Sequence, residues 1–238
     1  MTTAAEGRQR FRPTLKATAI ALPAFLILIA LGVWQVQRLT WKTAIIATRE
    51  ARLTAPPLTD AAALTAADLD ALVYRRVRLA GHFLAGHDVY LARSRGGKVG
   101  FQAITPLVAA DGTTVLVDRG WVPPAARKGT VAAPPAGETV VEGVVRLASR
   151  KGWFTPDNDV ARNYWFWLDP PAMAAAAGVT APPLVIQVTV APATGPPPWP
   201  ANPRVDIPNN HLGYALTWFG LAIALAVIFV LSQRKPAR

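Results

Sequence analysis

The 238-residue chain contains no cysteine. That excludes disulfides, thiol redox chemistry, covalent c-type haem attachment and thiolate sites for zinc or copper. Methionine (two) and histidine (three: His82, His87 and His211) are also scarce, so a multi-ligand soft-metal site is not expected. The chain has no G-x-S-x-G, no H-E-x-x-H, no phosphate loop and no carboxylate cluster. Hydrolase chemistry has no support, and an enzyme is not expected.

Charge is missing from two long stretches, eighteen residues from Ala17 to Trp34 and twenty from Leu212 to Leu231. As helices they reach roughly 27 and 30 Å, the thickness of a bilayer's hydrocarbon layer. Nothing between them is comparably long, so the intervening segment must bury its own core in water. The first stretch is read as a span and not as a signal peptide. It exceeds a normal h-region, and Trp34, Gln35 and Arg38 follow it where a small-residue cleavage site would be needed. Pro23 inside it is tolerable in a membrane helix.

The net charge of +11 invites a nucleic-acid reading until the charges are located. The tails outside the spans carry seven Lys and Arg against Glu6, so half the excess sits where the positive-inside rule puts it, in the cytoplasm. The remainder is spread along the chain, most densely at Arg75, Arg76 and Arg78, and reads as a solvated face. Arg38, Lys42, Arg49 and Arg52 also flank the far end of the first span, but Arg234, Lys235 and Arg238 tip the balance. Both termini are expected in the cytoplasm and the domain in the periplasm, with the lipid bilayer and no nucleic acid as a partner.

Past the first span, Leu39, Ile45, Ile46 and Leu53 continue a polar helix until Pro56 and Pro57 stop it. The period then changes. Residues 74–83, 89–92, 101–108, 113–122, 139–147, 164–168 and 184–190 are short β-branched or aromatic runs separated by Gly, Pro or Asp. They predict a mainly antiparallel β domain, a sheet or small barrel, with a short helix at 169–177 capped by Asp169. Six prolines in the twelve positions from Pro192 to Pro203 read as a stiff connector. The expected layout is a tail 1–16, a membrane helix 17–35, a β-rich domain 36–191, a connector 192–210, a second membrane helix 211–231 and a tail 232–238.

The residues most able to carry chemistry lie at the mouth of the second span. On a helix His211, Tyr214 and Trp218 share a face, and Gly220 and Ala224 form a small-xxx-small step for close packing. An ionisable ring at a membrane rim is a functional candidate, while helix capping and interface anchoring explain the same pattern. Trp34, Arg38 and Trp41 share a face where the first span leaves the membrane, which an aromatic belt with snorkelling explains equally. If the helices pack antiparallel, Trp34 and Arg38 lie at the depth of His211 and Tyr214. Within the domain, Asp118 and Arg119 end a buried strand, with a contact between them or from Arg119 to backbone expected. Tyr164-Trp165-Phe166-Trp167 puts aromatics on both faces of one predicted strand, and His82 and His87 read as ordinary histidines.

The stretches GVWQVQRLTWK, YRRVRLAGHF, VGFQAITPL, VLVDRGWVP, EGVVR and NNHLGYALTWFGLA occur in this order between Phe11 and Leu231. Together they resemble the Surfeit locus protein 1 family of cytochrome c oxidase assembly factors; the first and last motifs are specific and the middle ones weak singly. The resemblance implies a chaperone of the bacterial inner membrane that binds haem a and assists its insertion into the oxidase catalytic subunit, with haem a synthase a further partner. It also implies that His211 is the axial iron ligand. The macrocycle would then lie on Tyr214, Trp218 and Trp34, with Arg38 beside a propionate. The alternative is a haem-free scaffold that stabilises an oxidase subunit intermediate.

Overall fold

A computed structural model describes residues 9–65, 68–128, 133–189, 196–200 and 209–236. In chain order its elements are β1 (Gln9–Phe11), α1 (Leu15–Thr54), α2 (Leu69–Leu72), β2 (Arg76–Phe83), β3 (Val89–Arg95), β4 (Lys98–Ala109), β5 (Thr114–Val122), β6 (Glu138–Leu147), α3 (Pro170–Ala176), β7 (Leu184–Val188), α4 (His211–Ser232) and β8 (Arg234–Pro236). They form two compact units. One comprises residues up to Thr48 with those from Asp206 onward, and the other comprises Arg49–Val205.

The first unit is a helix pair. Both α1 and α4 contain a window long and apolar enough to cross a membrane, and only 6% and 11% of those windows is buried by protein. A soluble core helix would be covered, so lipid is the environment these faces match. Close approach is set by Gly32: a Cβ there would lie 2.5 Å from the Phe219 ring. A side chain at 32 would displace the Phe219 ring from this position. On α4 the residues sealed against the pair are Ala215 and Ala222, at 2% and 0% exposure. Gly220 has open space around it and Ala224 is exposed, so the small-residue step expected at 220 and 224 faces away from the contact. At the other end β1 and β8 pair antiparallel, joining the two tails. Gln233 there takes the Arg12 N–H on its carbonyl and the Thr14 N–H on its Oε1, both at 3.0 Å. The Thr14 N–H is one of the donors that the start of a helix otherwise leaves without a partner.

In the second unit β2, β6, β7, β5 and β4 run side by side, and β2 returns to pair with the far half of β4. The sheet thereby closes into a five-stranded barrel, with β3 added to the near half of β4. Closure requires Gly81, since a Cβ at that position would lie 2.3 Å from the Val108 carbonyl oxygen. The contacts are antiparallel except β5–β7, which is parallel. Numbering the barrel strands alone gives the order 1-2-3-5-4-1, the connectivity of an OB-type barrel. The expected β domain between two apolar helices is therefore present, in its barrel form.

The run at 164–168 is not a strand. It contributes isolated bridges, Leu91 to Trp165 and Asp159 to Tyr164. The ladder is diverted because Asn158 Oδ1 accepts the backbone N–H groups of Phe166 and Trp167, at 2.8 and 3.2 Å. Part of the expected connector also belongs to the domain. Trp199 exchanges backbone hydrogen bonds with Trp121 at 2.8 and 2.9 Å, and its indole stacks on that of Trp121 at 5.6 Å. Residues 192–195 and 201–208 of that connector, and residues 1–8 and 237–238 of the expected tails, lie outside the described residues.

Strand β5 is buried on both faces. Val115 and Val117 fill the barrel, while Leu116 joins an outer core with Leu91, Trp165 and Met173. Asp118 and Arg119, both 5% exposed, fall on opposite faces and have separate partners. Arg119 pairs with Asp88 at 2.9 Å and donates to Thr105 Oγ1 at 2.7 Å, while Thr105 in turn donates to Asp88. Asp118 accepts from the Gly120 N–H at 3.0 Å and from Gln187 Nε2 at 3.4 Å. Alternation along the strand is why the expected Asp118–Arg119 contact does not form.

Burial raises the Asp118 carboxyl from an ordinary 3.8 to about 6, against the lowering effect of Gly120, Gln187, Arg93 and Arg146. The folded state thus binds this proton more tightly than the unfolded chain. Its stabilising contribution is complete below pH 3.8 and is lost as pH rises through 6. Thermal unfolding followed by near-ultraviolet circular dichroism should show stability falling across this window. Asp118→Asn should flatten that part of the profile, a difference of up to about 3 kcal/mol at neutral pH. An unchanged profile in Asp118→Asn would assign the dependence to other groups.

Candidate functional site

The helix pair brings His211 and Gln35 together. His211 is the first residue of α4, half-buried, and its Nδ1 lies 2.6 Å from Gln35 Oε1. Gln35 sits inside α1, only 8% exposed. It shares a stripe with Gly32 and Leu39, which explains why an amide in an apolar helix faces the partner. An amide oxygen only accepts, so Nδ1 carries a proton, and in the neutral ring the lone pair is on Nε2. A carbonyl-type acceptor on one ring nitrogen is the usual support for an imidazole that ligates metal through the other.

Next to this contact, Asn209 Nδ2 reaches Thr43 Oγ1 at 3.4 Å, and the Thr43 hydroxyl donates to the Leu39 carbonyl at 2.8 Å. The Asn209 Oδ1 is buried without a hydrogen-bond partner. The rim of the pair is thus polar over two turns of α1, from Gln35 to Thr43.

The other residues expected at this site flank the contact. Trp34 is 48% exposed, and Tyr214 is 57% exposed. Trp218 is half-buried and Arg38 exposed. The Arg38 guanidinium lies over Trp41 at 5.0 Å and over Trp34 at 5.9 Å, so that face is a cation held between two indoles. Among the described residues, no ring contact joins Trp34, Tyr214 and Trp218 to one another. Trp34 and Tyr214 offer aromatic surface turned outward, while Trp218 is partly covered.

The remaining histidines have ordinary surroundings. His87 Nδ1 is 2.7 Å from the Ala177 carbonyl, and His82 is exposed on β2. Among the described residues no group of three or more His, Asp or Glu is placed to hold a metal ion. A lone imidazole with a supported tautomer suits a ligand whose other coordination positions are already filled, as by a macrocycle.

Gln35 was visible in the sequence only as one residue of the first span's exit. The available signal was its spacing, since Gly32, Gln35 and Leu39 recur at three and four residues and put an amide on the packing stripe.

The SURF1 family model matches residues 22–223, a range that holds both Gln35 and His211. A SURF1-like protein of Rickettsia felis is 32% identical over 228 residues, covering 93% of this chain and 98% of that protein. Surfeit locus protein 1 of Mus musculus is 35% identical over 232 residues, covering 86% and 73% respectively. That of Takifugu rubripes is 34% identical over 233 residues, covering 86% and 94%.

The contact gives a direct expectation for the ring. Nitrogen-15 spectra of histidine-labelled protein above neutral pH should show His211 held with its proton on Nδ1. In Gln35→Leu the proton should move mainly to Nε2, the tautomer that a free imidazole favours. Identical His211 spectra in the two proteins would mean that Gln35 does not fix the tautomer.

Proposed function

The chain belongs to the SURF1 family, and from that membership we propose that it assists assembly of a haem–copper cytochrome c oxidase. In this reading it holds haem a on His211 and delivers it to the catalytic subunit. The observation that carries the proposal is the 2.6 Å contact from His211 Nδ1 to Gln35 Oε1. In the neutral ring it leaves Nε2 as the ligating atom.

The flanking residues have matching roles. Trp34, Tyr214 and Trp218 supply flat apolar surface for the macrocycle, while the exposed Arg38 supplies a cation for a propionate at the water boundary. The isoprenoid tail of haem a stays in lipid. Custody by one axial histidine is temporary by construction, because a ligand on the acceptor subunit can replace it. Binding and release, with no bond made or broken in the cargo, is the activity assigned here, so the chain is not read as an enzyme.

The setting is the bacterial inner membrane, with both termini cytoplasmic and the barrel periplasmic. The expected bounds are tails 1–16 and 232–238, spans 17–35 and 211–231, the domain 36–191 and the connector 192–210; of these, α1 continues to Thr54 and Trp199 of the connector is hydrogen-bonded to the domain. The partners in this reading are the oxidase catalytic subunit, haem a synthase and the bilayer. A haem-free scaffold is the second reading, favoured by the outward placement of Trp34 and Tyr214 and by the lack, among the described residues, of ring contacts joining them to each other or to Trp218.

Protein purified from cells that make haem a should carry a pigment whose extract is haem a, not haem b or o. His211→Ala should lose that absorption while keeping the circular dichroism of the folded barrel. Gln35→Leu should weaken retention about 10- to 100-fold, the usual cost of removing a ligand's hydrogen-bond partner. Full pigment in His211→Ala would remove His211 from the mechanism, and capture of the oxidase subunit by pigment-free wild-type protein would support the scaffold.

A further inference from the structure

The segment between β6 and α3 is pinned along its length. The Ser149 N–H donates to the Leu168 carbonyl and the Ser149 Oγ accepts from the Leu168 N–H, both at 3.0 Å. Asn158 holds the backbone of Phe166 and Trp167, and Lys151 is ion-paired with Asp157. The Thr155 N–H donates to the Gly152 carbonyl at 3.0 Å and closes a four-residue turn. The two central residues of that turn are Trp153 and Phe154, each 101% exposed. Single apolar side chains on a surface need no explanation, but an adjacent Trp–Phe pair at the tip of a fastened turn is a different case. The rings contribute no packing to the fold that carries them.

We propose that the Trp153–Phe154 turn is a membrane-inserting tip that docks the barrel on the bilayer interface, a third attachment beside the two spans. This goes beyond haem custody and rests only on the chain's membrane anchoring. Two spans confine the domain to the vicinity of a bilayer, so even a weak lipid contact is made at high effective concentration. Tryptophan partitions to the headgroup level and phenylalanine to the acyl boundary just beneath it. Arg150 lies three positions before Trp153, and from Arg150 to Pro156 there is no acidic residue to oppose lipid phosphates. The nearest carboxylate, Asp157, is already paired with Lys151. Two rings are also far less than a stable protein interface buries, whereas a fluid interface accepts a small tip.

The absence of cysteine makes the test clean. Pro156→Cys in the full-length protein, labelled with bimane and placed in phosphatidylcholine nanodiscs, reports on the turn with both aromatics retained. The same label at Lys98→Cys, on the exposed β3–β4 turn, is the control. Shallow nitroxide lipids should quench the label at 156 several-fold more than the one at 98. Adding Trp153→Ser and Phe154→Ser should abolish the difference without lowering the thermal midpoint. Equal lipid quenching at the two positions would overturn the proposal. So would a label at 156 shielded from both lipid nitroxides and aqueous iodide, which would assign the rings to a protein surface.

Discussion

The hydrogen bond between His211 and Gln35 joins residues 176 positions apart and exists only if α1 and α4 pair in one register. An imidazole and a primary amide at the rim of an apolar helix pair are each costly to bury alone, and together they satisfy one another. The rest of the pair holds that register. Gly32 admits the Phe219 ring, Ala215 and Ala222 keep the opposite surface shallow, and Gln233 ties the start of α1 to the end of α4. A sideways shift of one residue in either helix would carry His211 round by about 100° and leave Gln35 buried without its partner.

The barrel unit is built on different terms. Its core strand β5 is apolar on both faces, and the charges that interrupt it are resolved separately, Arg119 with Asp88 and Thr105, Asp118 with Gly120 and Gln187. The last turns of α1 belong to this unit and are held by cations. Arg52 donates to the carbonyls of Asp70 and Val73, and Arg49 lies over Tyr74 at 4.8 Å, with Arg146 also over that ring at 5.0 Å. Two of the basic residues that blur the positive-inside signal after the first span therefore have structural partners in the domain.

The elements legible in the sequence were those fixed by solvent contrast. Charge-free runs gave the two spans, the period of two gave β2 to β7, and Pro56–Pro57 and Asp169 marked helix ends. Contacts decided by geometry at long range were not legible. The run at 164–168 has strand composition, yet Asn158 takes its ladder hydrogen bonds. The parallel β5–β7 contact depends on which edge remained free after β6 had folded back. Trp199 sits in a proline-rich stretch that composition reads as a tether, but stacking on Trp121 places it in the domain. For the site, His211, Tyr214, Trp218, Trp34 and Arg38 stood out because ionisable and aromatic residues share helix faces at the edges of the two apolar runs. Gln35 did not, because its meaning lies in which face of α1 meets α4.

The central claim is that Gln35 sets His211 to ligate iron through Nε2, and vibrational spectroscopy of the loaded protein addresses it most directly. Resonance Raman spectra of the reduced pigment should contain an iron–imidazole stretch that shifts to lower frequency in Gln35→Leu, because losing the acceptor on Nδ1 makes the imidazole a weaker donor. An iron–imidazole band unmoved by Gln35→Leu, or one that persists in His211→Ala, would contradict the account.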